Sequence, residues 1–464
     1  MIAAMILMTV AVTQMEPPAY FAANDELRAY LVEAAEDHPG LRALHEQWRA
    51  ALTRIPQATA LDDPVFTYGQ FLQSETNRFK AMLAQKFPWF GTLRARGEQA
   101  AVEADAALAR FYAERNRVFA DVKKAYSEYA FLGESIEIVA SQGEVLSFME
   151  DVVSSRLSLG LAGEADLLRI AIERTKLQDR LDSLTQMRPA LAAGLNEALG
   201  RGVDEEPPWP QEAEFPPPLP ADAEILAGVR AQNPELAVFD HLVEGRRKQA
   251  VLAKKKGRPD FTLGIEYVSV SKPRQIRPDR PYPASLNAAN RLVSTATGAT
   301  PFSAPNAAID AYALATADEP MAYSDGGEDN VMISLSMNLP IWRRRVRASV
   351  EEAALLERAT AQQKRRRTLA LERAAQMAIF NVRDAERRYR LYEDTLIPQA
   401  RQTYESLQSS YATGYSATAF LDVLDSIHVL LDFQLEQVRA TRDWHVAAAE
   451  LEMLAGAPWS TAAP

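Results

Sequence analysis

"NVMISLSMNLPIWRRRVRASVEEA", Asn330 to Ala353, changes its periodicity halfway. Val331, Ile333, Leu335, Met337, Leu339 and Ile341 alternate with Met332, Ser334, Ser336 and Asn338. One face is apolar and the other mostly small or polar, the period-two signature of a strand. Pro340 and Trp342 then pass, four arginines (Arg343, Arg344, Arg345 and Arg347) arrive within five residues, and the apolar spacing becomes helical. The stretch predicts a strand over about 330–341 that runs straight into a helix from about Arg344.

The same succession occurs once before. "LAQKFPWFGTLR" aligns with "LSMNLPIWRRRV" at an offset of 252, pairing Leu83 with Leu335 and Pro88 with Pro340. Upstream the offset is 195: Pro39 and Leu41 match Pro234 and Leu236, and "DPVFTYGQF" falls on "RPDFTLGIE" through Pro64 and Pro259, Phe66 and Phe261, Thr67 and Thr262, Gly69 and Gly264. Downstream, Gly160 pairs with Gly414 and Leu167 with Leu421 at an offset of 254. The chain is thus a duplication whose second copy carries an insertion between Ser271 and Asn330.

Each copy reads helix, strand, loop, strand, long helix, turn, helix. The first repeat, 25–204, places a helix over Asp25 to Ile55, strands at about 63–73 and 79–88, a long helix over 92–159 and a helix over 164–199. The second, 221–456, places a helix, strands at about 260–271 and 330–341 with an extended loop 272–329 between them, a long helix over 344–413 broken only by Pro398, and a helix over 416–454. Between the repeats, "EEPPWPQEAEFPPPLP" (205–220) is a Pro-rich linker of extended, semi-rigid chain. Residues 457–464 form a C-terminal tail. A helix over 92–159 would be roughly 100 Å long at about 1.5 Å per residue, a length that belongs to a rod or tube.

Composition narrows the function classes. The 464 residues are 47% apolar and 24% charged, a folding composition, and the net charge of −11 argues against nucleic acid as a partner. Cysteine is absent, which removes disulfides, thiol catalysis and lipid attachment at an N-terminal cysteine. "MIAAMILMTVAVTQ" has the apolar length of a signal-peptide core but no Lys or Arg before it, so 1–24 is expected to be a signal or N-terminal segment. Nothing else approaches the ~18 continuous apolar residues of a membrane helix. If the chain crosses a bilayer it does so with strands, and since four strands cannot close a barrel, several chains would have to contribute. The alternation by itself also fits a sheet packed on a core, and a soluble, elongated coiled-coil scaffold is the alternative.

No catalytic constellation is present. The five histidines, His38, His45, His241, His428 and His445, include no pair at the i, i+4 spacing of a helical zinc site, and no phosphate-binding Gly-rich loop ending in Lys-Ser or Lys-Thr occurs. No enzyme activity, cofactor or resident metal is expected, and the twelve methionines read mostly as core.

With duplicated strand-helix halves, N-P-E-L opening the second and a G-x-x-x-x-x-x-L turn in each, the chain resembles the TolC family of outer membrane efflux proteins over about residues 25 to 456. "AQKFPWFGTLRARGEQA", Ala84 to Ala100, is most similar to the heavy-metal efflux branch. The resemblance implies a mainly α fold with a small β part: a homotrimer whose twelve strands form an outer-membrane barrel above a long antiparallel α-helical tunnel in the periplasm. It further implies a passive exit duct for metal ions or small toxic molecules, working with a periplasmic adaptor (membrane fusion) protein and an inner-membrane pump, such as one of the resistance-nodulation-division type. Asp151, Arg156, Arg401, Tyr404 and Glu405 are then the candidate entrance gate, and Gly160, Leu161, Gly414 and Tyr415 the adaptor-contacting tips. Basic clusters lie at strand-to-helix junctions, and Trp89, Phe90, Lys255, Arg258, Trp342, Arg343 and Arg344 become a membrane-interface belt against outer-membrane lipid, each cation contributing about 1 kcal/mol near anionic headgroups.

Overall fold

The computed structural model describes residues 25–73, 77–210, 219–270, 329–413 and 420–456. The segment 1–24, the tail 457–464, nearly all of the 272–329 loop, residues 211–218 of the linker, and the tip residues Gly414 and Tyr415 lie outside the described residues. The chain is mainly α with one small antiparallel sheet, and separates into two compact units. Both repeats contribute to each unit: 59–94 and 253–347 supply a strand unit, and the remaining described residues a helical unit.

The strand unit contains β1 (Val65–Gln70), β2 (Asn77–Phe87), β3 (Phe261–Val270) and β4 (Asn330–Met337), in the order β1-β2-β3-β4. Every neighbouring pair is antiparallel. Phe66, Leu83, Ile265 and Ile333 lie in one cross-strand row, and Tyr68, Ala81, Tyr267 and Val331 in another on the same face. The opposite face carries Thr67, Lys80, Lys86, Thr262, Glu266, Ser334 and Ser336. Residues paired by the duplication take the same face in β1 and β3: Phe66 and Phe261 on the apolar side, Gly69 and Gly264 on the polar. Gly264 is required by close approach, since a Cβ there would stand 2.6 Å from Ser334 Oγ and 3.0 Å from Met82 Cε. The fourth strand stops at Met337, four residues short of the sequence expectation. Asn338 leaves the ladder because Asp260 N donates to Asn338 Oδ1 while Asn338 N donates to Asp260 O at 3.2 Å, and Pro340 has no amide hydrogen with which to resume.

The helical unit opens each repeat with a broken helix where the sequence reading expects one. In the first repeat α1 (Asp25–Asp37) and α2 (Pro39–Thr59) meet at His38; in the second α5 (Asp222–Gln232) and α6 (Pro234–Lys255) meet at Asn233. The cause is the proline: the residue before it is driven out of helical geometry, and proline itself suits the first helical position. Asn233 adds a cap, its Oδ1 accepting from Glu235 N at 2.8 Å, while its Nδ2 donates to Leu454 O at 2.7 Å.

Between them, α3 (Thr92–Ser158) runs unbroken into a turn and α4 (Glu164–Leu199). The turn is a Schellman closure: Gly160 has φ +68°, its N–H donates to Leu157 O at 2.9 Å, and Leu161 N donates to Arg156 O at 2.8 Å. The counterpart, expected as a long helix over 344–413 broken only by Pro398, is α7 (Arg343–Leu391), a π-helical turn (Tyr392–Leu396) and α8 (Ile397–Thr413), followed by α9 (Phe420–Ala455). Pro398 cannot donate to the carbonyl four residues back and its ring presses on that carbonyl, and one wide turn relieves both.

Two equivalent cores hold the repeats. Leu31, Leu41, Phe119, Val122, Tyr129 and Leu195 pack in the first; Val229, Leu236, Leu371, Val382, Trp444 and Leu451 in the second, so the duplicated Leu41 and Leu236 are each buried in their own core. A third cluster, including Met149, Val153, Ile170, Tyr411, Phe420 and Leu424, joins the two hairpins near their ends. The linker begins pinned to the first repeat. Trp209 stacks on Tyr129 at 4.8 Å in the space left by Gly133, Tyr129 Oη donates to Pro207 O at 3.0 Å, and Asn196 Nδ2 donates to Glu205 O at 2.7 Å.

Candidate functional site

Two places carry the residues singled out by sequence, and each lies within one unit. In the strand unit, β2 ends at Phe87 and the chain turns through Trp89, Phe90 and Gly91 (φ +74°) into α3, with Thr92 N donating to Trp89 O at 2.9 Å. Trp89 is held from three sides. Its backbone N–H donates to Asp260 Oδ1 at 3.2 Å, its ring stacks on Phe261 with centroids 5.9 Å apart, and the Arg258 guanidinium lies 5.9 Å from the ring centre. Lys255 Nζ donates to Phe90 O at 3.2 Å, closing the turn.

The seven belt residues therefore divide. Trp89, Lys255 and Arg258 make contacts with one another's segments, whereas Phe90 and Trp342, 79% and 72% exposed, and Arg343 and Arg344, also exposed, stand just past the ends of β2 and β4. Aromatic rings and cations beside an apolar band are the arrangement of a bilayer interface. The sequence reading missed Asp260, which ties the junction together by also pairing with Lys86 Nζ at 3.1 Å. Its one available signal was an acidic residue standing immediately before a strand amid basic neighbours.

At the hairpin ends of the helical unit, the structure brings Arg156 to the other hairpin. Arg156 Nη1 donates to Tyr411 O at 2.6 Å and to Ala412 O at 3.4 Å, its guanidinium sits 4.5 Å from the centre of the Tyr411 ring, and Nη2 donates to Leu161 O at 3.4 Å. The last carbonyls of α8 carry partial negative charge, so a cation there caps the helix as well as bridging. Tyr404 packs into the adjoining apolar cluster, and burial, then Glu405, pushes its hydroxyl pKa up. Burial likewise raises the Tyr411 pKa, with Arg156 opposing. Asp151, Arg401 and Glu405 are exposed, and among the described residues no hydrogen bond or ion pair joins their side chains to Arg156. Tyr411, the partner the geometry supplies, was not among the sequence candidates. Gly160 and Leu161 form the first hairpin's turn, with Leu159 and Leu161 exposed at 72% and 61%.

Among the described residues no three His, Asp or Glu side chains gather as a metal cluster, and no described helix is long and apolar enough to cross a membrane.

The sequence profile of the family described as "Outer membrane efflux protein" matches residues 226–457, half of the chain, and the chain belongs to that family. It is an outer membrane efflux protein rather than an enzyme. Among solved structures, the outer membrane protein VceC from Vibrio cholerae is similar with a TM-score of 0.69 at 17% identity, covering 96% of this chain and 100% of that one. The CmeC outer membrane channel of Campylobacter jejuni gives 0.67 at 10% identity over 95% and 88%, and the open-state MtrE outer membrane channel of Neisseria gonorrhoeae 0.67 at 13% over 93% and 89%. No curated protein sequence matches the chain. Likeness at these identities concerns the fold, which the chain shares with channels that are helical tunnels with a β-barrel.

Proposed function

We propose that this chain is the exit duct of a tripartite efflux system, passive in itself, taking metal ions or small toxic molecules from an inner-membrane pump and a periplasmic adaptor to the exterior. The observation that carries the reading is the four-stranded sheet, apolar on one face and polar on the other, with the outer edges of β1 and β4 unpaired among the described residues. Lipid tolerates no open strand edge, so the sheet must close with further copies, and three give a twelve-stranded barrel. The apolar row Phe66, Leu83, Ile265 and Ile333 then meets lipid, Ser334 and Ser336 face a wet lumen, and Phe90, Trp342, Arg343 and Arg344 stand at the periplasmic membrane surface. Most of the remaining chain, the long helices included, occupies the periplasm.

The entrance lies at the hairpin ends in this reading. Arg156 links the hairpins through Tyr411, with Asp151, Arg401, Tyr404 and Glu405 around it, and adaptor contact at the turns holding Gly160, Leu161, Gly414 and Tyr415 releases the link. Detergent extraction of outer membranes is the test: a heat-labile oligomer that retains strand structure and conducts ions in planar bilayers is expected, whereas a monodisperse cytosolic protein would overturn the duct. Co-purification under mild crosslinking identifies the adaptor and pump.

A further inference from the structure

The polar face of the sheet contains one row that does not fit a merely wet wall. Thr67, Met82, Glu266 and Met332 are in direct cross-strand register on β1, β2, β3 and β4. Glu266 is the one carboxylate within the four described strands, and it has a thioether on either side. The adjoining rows offer it little else. Toward one end lie Ala84, Gly264 and Ser334, which are small. Toward the other, Lys80 is the nearest cation, but its methylenes lie over Gly69, where a Cβ would stand 3.2 Å from Lys80 Cγ, so the side chain leans toward β1 and away from β3. Among the described residues no hydrogen bond or ion pair engages the Glu266 carboxylate. Met82 is not splayed outward, since its Cε reaches over Gly264 to within 3.0 Å of where a Cβ would be, on the strand that carries Glu266.

We infer that Met82, Glu266 and Met332 form a transit site for a soft monovalent metal cation of the silver(I) or copper(I) class. This deepens the duct reading and rests on it for the word transit. Neighbouring strands are about 4.8 Å apart, so the two methionines start about 10 Å apart with Glu266 midway, and flexible thioether arms from either side converge on one ion beside the carboxylate. Thioethers select soft ions, and in a chain without cysteine they are the only sulfur donors. They need no deprotonation, and neutral donors with a single charge hold an ion loosely enough to release it. In a closed trimer the row recurs three times at one height of the barrel.

The test uses the full-length protein in detergent and in planar bilayers, in nitrate salts, with silver(I) as the probe. Bound silver per chain is measured by mass spectrometry after equilibrium dialysis against a series of silver concentrations, and current is recorded against silver concentration. Wild type is expected to retain silver and to show a silver-dependent drop in current. Met82→Leu combined with Met332→Leu is expected to need at least tenfold more silver for either effect, and Glu266→Gln to shift both by a smaller factor. Met337→Leu, the same replacement on the apolar face of β4, should behave as wild type. Single Met82→Leu and Met332→Leu variants serve if the double variant does not assemble. Equal silver retention in the methionine variants, or equal retention of magnesium by wild type, would overturn the inference. A protein that gives no current at all counts against the duct, while silver retention in detergent still decides the site.

Discussion

Arg156 is the residue on which the two hairpins depend most visibly, because one guanidinium meets two carbonyls of α8, the Tyr411 ring and the Leu161 carbonyl. A hydrogen bond from a charged donor contributes about 1.5–3 kcal/mol when water is excluded and less at a half-exposed position such as this one. Arg156→Ala is expected to raise the fraction of time the channel is open by about tenfold in single-channel recordings, with Arg156→Lys intermediate because an ammonium cannot fork between two carbonyls. Asp151→Asn with Glu405→Gln should change conductance less than Arg156→Ala does. His445 governs a different property. Half-buried near Lys123, with its Nε2 shielded from solvent, it has its pKa lowered to about 4, first by desolvation and then by the Lys123 charge. Its neutral form is the one the folded protein accepts, so between pH 6.5 and 4 the unfolded chain binds the extra proton and stability falls as pH falls. The loss is on the order of 3 kcal/mol across that window. Thermal unfolding of the wild type should drop in midpoint from pH 7 to pH 4.5, and His445→Gln should flatten that dependence.

At the scale of elements, what sequence made legible was what local pattern decides. Face alternation in β3 and β4, the run of α3 and the glycine turn at Gly160 all follow from spacing and composition within a few residues. Breaks that depend on one residue overruling its neighbours were harder to see: helix-forming flanks hid the interruptions at His38 and Asn233, although the His-Pro and Asn-Pro dipeptides announced them. The end of β4 was invisible because Asn338 answers to Asp260, 78 residues earlier in the chain. In the site, residue types placed Trp89, Trp342 and the arginines at a junction, but Asp260 and Tyr411 act through contacts distant in sequence. The π-helical turn before Pro398 gives an element-level prediction. Pro398→Ala restores an amide donor and removes the ring clash, so the segment should revert to regular helix. Amide exchange at residues 393–397 is expected to slow about fivefold, equivalent to about 1 kcal/mol; unchanged exchange would assign the wide turn to packing against α9 instead.

For the whole molecule the duplication has a spatial counterpart. Each repeat keeps its own core around Leu41 or Leu236, while the strand unit draws two strands from each and the Tyr411 cluster joins their hairpin ends. In the duct reading assembly rests on the sheet, whose apolar face leaves Phe66, Ile265 and Ile333 exposed among the described residues. A charge on its apolar face should cost about 2–4 kcal/mol per chain at the middle of a bilayer and nearly nothing on the other face. Ile333→Lys is therefore expected to abolish the heat-labile oligomer in outer-membrane extracts, and Ser336→Lys, three residues along the same strand, to leave it in place while altering ion selectivity. Loss of the oligomer in both variants would argue that the polar face is packed rather than wet.

The clasp at Arg156 seizes main-chain oxygens, and heredity cannot easily touch what it seizes. Every substitution at 412 leaves a carbonyl there to be grasped, and at 411 only the ring contact is exposed to mutation. If the clasp is the entrance of the proposed duct, selection for a leakier or tighter one should accordingly leave its trace on one repeat more than the other. Revertants of an Arg156 variant should arise around the first hairpin's turn, and a library covering both hairpins would reveal that one-sidedness.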